Sequence, residues 1–171
     1  QQAHAQLWRI GPDLHDTWAQ VRDTFEFLPR WMPHIGPGNW ADPDMLPLGN
    51  LHLRKWRADD CDPHPTRLTR DEQVTVMTLW CISRSALMFA GDLPRSDAWT
   101  LELLTNPEVL AVHRQSTGNR ELFRHHACRT WIADDPGSAA RCLALFNLGD
   151  EPLSLAVPLV ESGMTRCRMR D

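Results

Sequence analysis

Tyrosine is absent from the sequence, lysine occurs once, as Lys55, and no basic run extends beyond a few residues. Acidic and basic residues are interspersed along the chain, and the formal net charge at pH 7 is −4. Proteins that bind nucleic acid usually carry a basic patch that neutralises phosphates. We therefore expect no nucleic acid among the partners of this chain.

Cysteine offers no recognisable site either. The five cysteines include no C-x-x-C pair, so no disulfide pattern can be assigned. Two groups could be taken as metal ligands, Cys61 with His64, and His125 and His126 with Cys128. Zinc sites need paired spacings that are missing here, so we interpret these residues as loop and strand residues and predict no bound metal.

Long apolar runs are also missing. The longest, 74–82, is followed closely by Arg84 and is far shorter than the roughly 20 residues of a transmembrane helix. We therefore expect no membrane contact. The first residues, QQAHAQLWRI, contain neither an initiator methionine nor a basic-then-apolar leader, which indicates that something upstream was removed.

The residues that are present suit one globular domain. The chain has 171 residues, of which 42% are hydrophobic and 23% charged. Eight tryptophans are an unusual number. Tryptophan packs well in a core, and its flat apolar face also serves as a platform in sugar-binding clefts.

The first two thirds of the chain are predicted to alternate between strands and helices. Apolar residues every three or four positions predict a helix over 14–28 that Pro29 ends. Capping patterns mark three later helices: Thr69 with Glu72, then Ser96 or Asp97, then Asn106 before Pro107. Strands are predicted at 3–10, 45–49 and 86–91. Alternating βα units favour a parallel sheet, either doubly wound or part of a barrel.

The pattern changes after Gly118. Short apolar or alternating runs, separated by turn sequences, predict antiparallel strands without helices. These strands are predicted at 128–134, 141–148 and 153–159.

Acidic residues stand beside the predicted strands of the first part. Asp13 follows the first strand, Asp42 and Asp44 precede the second, and Asp92 follows the third. In parallel βα architectures the loops at the strand C-termini converge, and converged carboxyl groups are what glycoside hydrolysis uses. The residues alone also allow ordinary structural roles: Asp13 as a helix N-cap, and the other three as turn residues.

Arg9 lies in an apolar strand beside Trp8, where an unpaired charge would be costly. We therefore expect a carboxylate partner for it, and Asp13 is a candidate.

Several separated blocks resemble α-galactosidases of the glycoside hydrolase family that also contains the lysosomal enzyme, and its bacterial branch most closely. These blocks are LWRIGPDLHDTW, GPGNWADPDMLPLGN, RLTRDEQVTVMTLWCISRSALMFAGDL and TLELLTNPEVLAVHRQSTGNRELFR. They occur in the order of the family and cover about residues 3–125.

The resemblance implies a fold and an activity. Members of the family have a (β/α)8 barrel followed by an antiparallel β domain, and they remove terminal α-galactosyl or α-N-acetylgalactosaminyl residues with retention. Residues 1–116 would then be the part of the barrel that holds about strands six to eight. Residues 117–171 would be the C-terminal β domain, which is short for the family.

The resemblance also implies roles for single residues. Asp13 matches the acid/base, and Arg9 matches an arginine that helps to hold the sugar beside it. Asp44 and Met45 match an Asp-Met pair that lines the galactose pocket, and Asp42 matches a companion acid of mainly structural importance.

Trp40, in the same block, is a further candidate for substrate contact. The nucleophile of the family, an aspartate in a Lys-x-Asp block on strand four, has no counterpart, and Lys55 is not in such a block. A retaining mechanism needs two carboxyl groups about 5 to 5.5 Å apart. We therefore expect the isolated chain to be inactive, with a galactoside substrate, no cofactor, and a need for the missing N-terminal barrel half.

Some positions depart from the family pattern, namely Ala86, His113 and the pair Gly11-Pro12. The resemblance therefore does not determine the conformation of the loops or the exact glycoside that is hydrolysed. Family members are often extracellular or periplasmic, but the sequence holds no segment that predicts a location. The alternative hypothesis is a non-catalytic carbohydrate-binding or structural piece, in which tryptophans and carboxylates hold sugar without cleaving it.

Overall fold

A computed structural model describes residues 4–52 and 62–154 of the chain. The elements run β1 (Leu7–Arg9), α1 (Trp18–Phe27), a 3-10 segment (Leu28–His34), β2 (Trp40–Asp42), β3 (Asn50–Leu51), β4 (His64–Pro65), α2 (Arg70–Ile82), a second 3-10 segment (Leu93–Arg95), α3 (Ala98–Thr105), α4 (Pro107–Gln115), β5 (Thr117–His125), β6 (Cys128–Asp134) and β7 (Arg141–Asn147). Within the described ranges, none of the helices combines the length and apolar character that crossing a bilayer requires.

Strands β1 and β2 pair in parallel, with α1 in the connection between them. The register places Leu7 opposite Trp40 and Arg9 opposite Asp42, and the Ile10 N–H continues the ladder to the Asp42 carbonyl at 2.9 Å. The predicted parallel pairing of βα units is therefore present, although β1 is shorter than the predicted strand at 3–10.

The segments 45–49 and 86–91, each predicted as a strand, pair through one isolated parallel bridge and form no regular strand. Residues 40–42, which were expected in a loop, form the paired strand instead. Leu46 and Phe89 make an isolated parallel bridge, through Leu46 N–H to Met88 O at 2.7 Å and Ala90 N–H to Leu46 O at 3.1 Å. The Leu48 N–H, which would continue this ladder, donates to the Leu46 carbonyl at 2.9 Å instead.

The predicted helix caps are confirmed. The Thr69 hydroxyl accepts the Glu72 N–H at 3.3 Å while the Glu72 carboxylate accepts the Thr69 N–H at 2.7 Å, which is a complete capping box for α2. Asp97, rather than Ser96, caps α3 through the Thr100 N–H. Asn106 caps α4, which begins at Pro107.

Strands β5, β6 and β7 form an antiparallel sheet in sequential order. The strand at 128–134 and the one beginning at 141 were predicted, β5 was not predicted as a separate strand, and the strand predicted at 153–159 lies mostly outside the described residues. Phe25 of α1 meets Phe146 of β7 edge to face, with 5.0 Å between ring centroids. One core cluster thus runs from α1 and α2 into this sheet.

An ionic contact ties α1 to the same sheet. The Glu26 carboxylate accepts hydrogen bonds from Arg124 of β5 at 2.7 Å and Arg129 of β6 at 2.8 Å. The hydrogen bond from Arg129, followed by the contacts with Arg124, lowers the pKa of Glu26 from its ordinary value.

His113 of α4 is half-buried and lies against the loop that follows α2. Its Nε2 lies 2.8 Å from the Ser85 carbonyl. Burial, with a smaller contribution from the charges of Arg84 and Arg114, lowers the pKa of His113 from its ordinary value of 6.5. The unfolded chain therefore takes up a proton at higher pH than the folded chain does.

We predict that the free energy of unfolding decreases as the pH falls below about 6.5 toward the lower folded-state pKa of His113. The variant His113→Gln keeps a donor for Ser85 but cannot titrate, so its unfolding free energy should depend less on pH in this window. Denaturant unfolding at several pH values measures the difference, with the exposed His125→Gln as control. Parallel pH profiles for the wild type and His113→Gln would contradict the assignment.

Candidate active site

The parallel register of β1 and β2 brings one cation and two carboxylates together where these strands end. The Arg9 Nη2 atom lies 3.0 Å from Asp13 Oδ1, 2.8 Å from Asp44 Oδ2 and 2.8 Å from the Pro12 carbonyl. The expected partner of Arg9 is therefore present, and Asp44 is a second one. A single guanidinium group joins the loop after β1 to the loop after β2.

Asp13 is not a helix cap. The N-cap position of α1 is Thr17, and the Asp13 side chain is 87% exposed, on the loop ahead of it. Its contact with Arg9 fixes one carboxylate oxygen while most of the group stays accessible. The Asp13 carboxyl group is therefore accessible to water.

Asp44 is buried, in contrast, with 8% of the residue exposed. Besides the ion pair with Arg9, its Oδ2 atom accepts the Leu14 N–H at 2.6 Å, so the loop that carries Asp13 is held on it. Asp42 is also buried, and its Oδ1 atom accepts the Asp44 N–H at 2.9 Å. Asp42 therefore shapes the turn, as expected of a turn residue. Asp44 pairs with the Arg9 guanidinium group.

The backbone of Asp44 has a φ of 110°, a value that residues with a side chain rarely adopt. The indole Nε1 of Trp80, in α2, donates to the Asp44 carbonyl at 3.0 Å. No local pattern indicates this contact, because 36 residues separate the two positions and Trp80 follows the apolar pattern of a core residue.

The other candidate residues from the sequence are Met45, Trp40 and Asp92. Met45 is adjacent to Asp44 and is largely exposed for an apolar side chain. The Trp40 ring lies against the Arg84 guanidinium, 4.6 Å from its centre, at the start of β2 and not at the end that carries Asp42. Its assignment as a substrate contact stays a prediction that the geometry does not favour. Asp92 approaches Arg95 at 3.5 Å, whereas Arg9 pairs with Asp13 and Asp44.

Sequence reasoning missed Asp16, three residues after Asp13. Its carboxylate is almost fully buried and accepts the Arg67 backbone N–H at 2.7 Å. The Arg67 side chain and the His64 ring also approach it, at 3.3 and 3.2 Å. These partners come from a segment about 50 residues further on, so no local spacing could have indicated them.

Within the part of the chain that the structure describes, histidine, cysteine, aspartate and glutamate side chains form no group of three or more that could hold a metal ion. The site around Arg9 presents one exposed carboxyl group, one buried carboxylate and the arginine between them.

Comparison with known proteins places these residues in a family context. The sequence model of the family described as alpha galactosidase A matches residues 2–115. α-Galactosidase 2 of Arabidopsis thaliana is 27% identical over 160 residues, which are 92% of this chain and 36% of that protein. Human α-galactosidase A is 29% identical over 117 residues, which are 66% of this chain and 24% of that protein. The chain thus spans about a third or less of the length of these relatives.

A solved structure is also similar. The GH27 β-L-arabinopyranosidase of Geobacillus stearothermophilus superposes with a TM-score of 0.89 at 40% identity, over 95% of this chain and 37% of that one. A variant of that enzyme has been solved in complex with arabinose.

The different burial of the two carboxylates makes a prediction about stability. We expect Asp44→Asn to lower the free energy of unfolding by about 2 kcal/mol, because it removes the charge that Arg9 and the Leu14 N–H face in a buried position. Asp13→Asn changes the same chemical group at an exposed site and should cost much less. Denaturant titration of both variants tests the difference, provided that the slope m stays constant. Equal losses would show that Asp44 is not the carboxylate on which the loops depend.

Proposed function

The chain belongs to the α-galactosidase A family of glycoside hydrolases, and from this premise we propose that it supplies the acid/base and part of the sugar pocket of a retaining enzyme that removes terminal α-galactosyl residues. The single observation that carries the proposal is the Arg9 contact, which holds an exposed Asp13 and a buried Asp44 on one guanidinium group. A pocket that binds a sugar and protonates its leaving group needs both kinds of carboxyl group.

The proposed roles follow the exposure of each residue. Asp13 is the acid/base, since it is accessible and loosely held. Asp44 binds sugar hydroxyl groups, with Met45 beside it as an apolar wall, and Arg9 orients both acids. Asp42 contributes indirectly, through the backbone of Asp44.

The proposed reaction has two steps. In the first, an aspartate outside this chain attacks the anomeric carbon while Asp13 gives its proton to the departing glycosidic oxygen. In the second, Asp13 takes a proton from water, and the resulting hydroxide displaces the enzyme carboxylate from the sugar. The configuration at the anomeric carbon is inverted twice and so retained.

We further propose that residues 1–116 are about strands six to eight of a (β/α)8 barrel, and that residues 117–171 are a C-terminal β domain. The parallel β1–β2 pair, the parallel bridge at Leu46 and the antiparallel sheet that begins at Thr117 support this division. The partner that the chain needs is then the N-terminal part of the barrel, which carries the nucleophile.

Complementation is the experiment that tests this function. We expect no hydrolysis of an aryl α-galactoside by the purified chain, and hydrolysis when it is mixed with a separately expressed N-terminal barrel half of a close relative. Parallel assays with an aryl β-L-arabinopyranoside determine which of the two glycosides the pocket accepts. Activity of the chain alone would mean that one of its own carboxylates acts as nucleophile. Sugar binding without hydrolysis in the mixture would support the carbohydrate-binding alternative.

The acid/base assignment has its own test in the complemented enzyme. Asp13→Asn cannot protonate a leaving group, so turnover of galactosides with poor leaving groups should fall by about 100-fold or more, while activated aryl galactosides should be spared in the first step. Asp23→Asn, which changes an exposed acid on α1, is the control. An equal loss of kcat/KM, which reports the first step, on both classes of substrate would exclude Asp13 as the acid.

A further inference from the structure

The backbone of Asp44 is held in an unfavourable conformation from several sides. A φ of 110° costs free energy for a residue with a side chain, and such a conformation persists only where the surroundings enforce it. The Asp44 N–H is bound by the Asp42 carboxylate at 2.9 Å, and the carbonyl is bound by the Trp80 indole at 3.0 Å. Both polar groups of this residue's backbone therefore have side-chain partners.

Trp80 is well placed to act as a fixed donor. Its side chain is completely buried, and it lies in the last turns of α2 between buried neighbours Leu79 and Cys81. The capping box at Thr69 fixes the other end of this helix. The position of the indole N–H is therefore set by the core, which extends as far as the C-terminal sheet.

We propose that Trp80 is a positioning residue for the sugar pocket, which holds the Asp44 carboxylate in its binding orientation through the hydrogen bond to the Asp44 carbonyl. This role rests on the proposed function of Asp44 in sugar binding. Trp80 itself touches neither substrate nor reacting atoms.

Loss of this hydrogen bond should weaken the contacts of the Asp44 carboxylate. Without the indole N–H, the buried carbonyl of Asp44 has no donor among the residues that the structure describes, and the strained peptide can relax toward a more common φ. Such a rotation moves the carboxylate away from the Leu14 N–H and from Arg9, which it now meets at 2.6 and 2.8 Å. The loop that carries Asp13 then loses one of its anchors.

The chain offers a matched control for this test. Trp131 of β6 is also completely buried, and its Nε1 atom has no hydrogen-bond partner among the described residues. Trp80→Phe and Trp131→Phe remove the same atoms from a buried site, but only the first removes a hydrogen bond to Asp44.

Amide hydrogen exchange of the chain itself measures the positioning directly. In Trp80→Phe, the Leu14 amide should exchange about tenfold faster, relative to the Val76 amide of α2, because its bond to the Asp44 carboxylate opens more often. In Trp131→Phe this ratio should stay at the wild-type value. A ratio that stays constant in Trp80→Phe, or that changes equally in both variants, would overturn the proposal.

Steady-state kinetics of the complemented enzyme supply the second readout. Trp80→Phe should raise KM for an aryl α-galactoside about tenfold with a smaller change in kcat, as expected when binding to the sugar is weakened in ground state and transition state alike. Trp131→Phe should leave KM unchanged. If the wild-type mixture is active and Trp80→Phe has a normal KM, Trp80 does not position the pocket. If the wild-type mixture is inactive, the proposed function fails, and the exchange ratio alone decides whether Trp80 holds Asp44.

Discussion

The ion pair between Arg9 and Asp44 is the contact on which the arrangement of the site depends. Arg9 stands at the end of β1 with its side chain 38% exposed, and a carboxylate partner on the protein fixes it in place. The parallel register of β1 and β2 provides one, because it sets Arg9 opposite Asp42 and directs the next turn back toward the guanidinium group. Asp13, on the loop after β1, contacts the same guanidinium group. One side chain thus fixes two loops relative to each other.

The contact with Arg9 depends on hydrogen bonds that hold the Asp44 backbone. Asp44 can face Arg9 only in a backbone conformation that is costly by itself, and the bonds from Asp42 and Trp80 offset that cost. Helix α2 thus connects the candidate site with the main core, in which Phe25 and Phe146 join α1 to the C-terminal sheet. The sheet lies outside the proposed catalytic part, yet it packs against the helix that carries Trp80.

Local chemistry predicted the helices well. The capping box at Thr69, the cap at Asn106 and the proline that follows it act within one helical turn, so their spacing is visible in the sequence. The strands were harder to predict, because Asp42 and Asp44 resemble turn residues, and their turn character concealed a strand that ends at Asp42. Pairing with β1, more than 30 residues away, determines that strand, and no pattern within 40–49 expresses it.

In the candidate site, too, local contacts could be predicted from the sequence and contacts between distant residues could not. The pairing of Arg9 with Asp13 could be predicted because the residues are four positions apart and a charge beside apolar neighbours favours a partner. The resemblance to a family pointed to Asp44, but not to the way in which it is held. The roles of Asp16 and Trp80 arise from contacts across 36 to 51 residues, and each residue alone looks like an ordinary element of a helix start or a core.

The contrast between the two acids on Arg9 follows from what each must do in the proposed reaction. A general acid changes its protonation state twice in each turnover, first with the leaving group and then with water, so it must stay accessible to both. Asp13, fixed by one oxygen and otherwise exposed, meets this requirement. A group that recognises hydroxyl groups keeps its charge throughout, and it discriminates best when its orientation costs nothing at the moment of binding. The buried Asp44, whose Oδ2 atom is held by Arg9 and by the Leu14 N–H, is suited to that role, because its orientation is fixed before any sugar arrives.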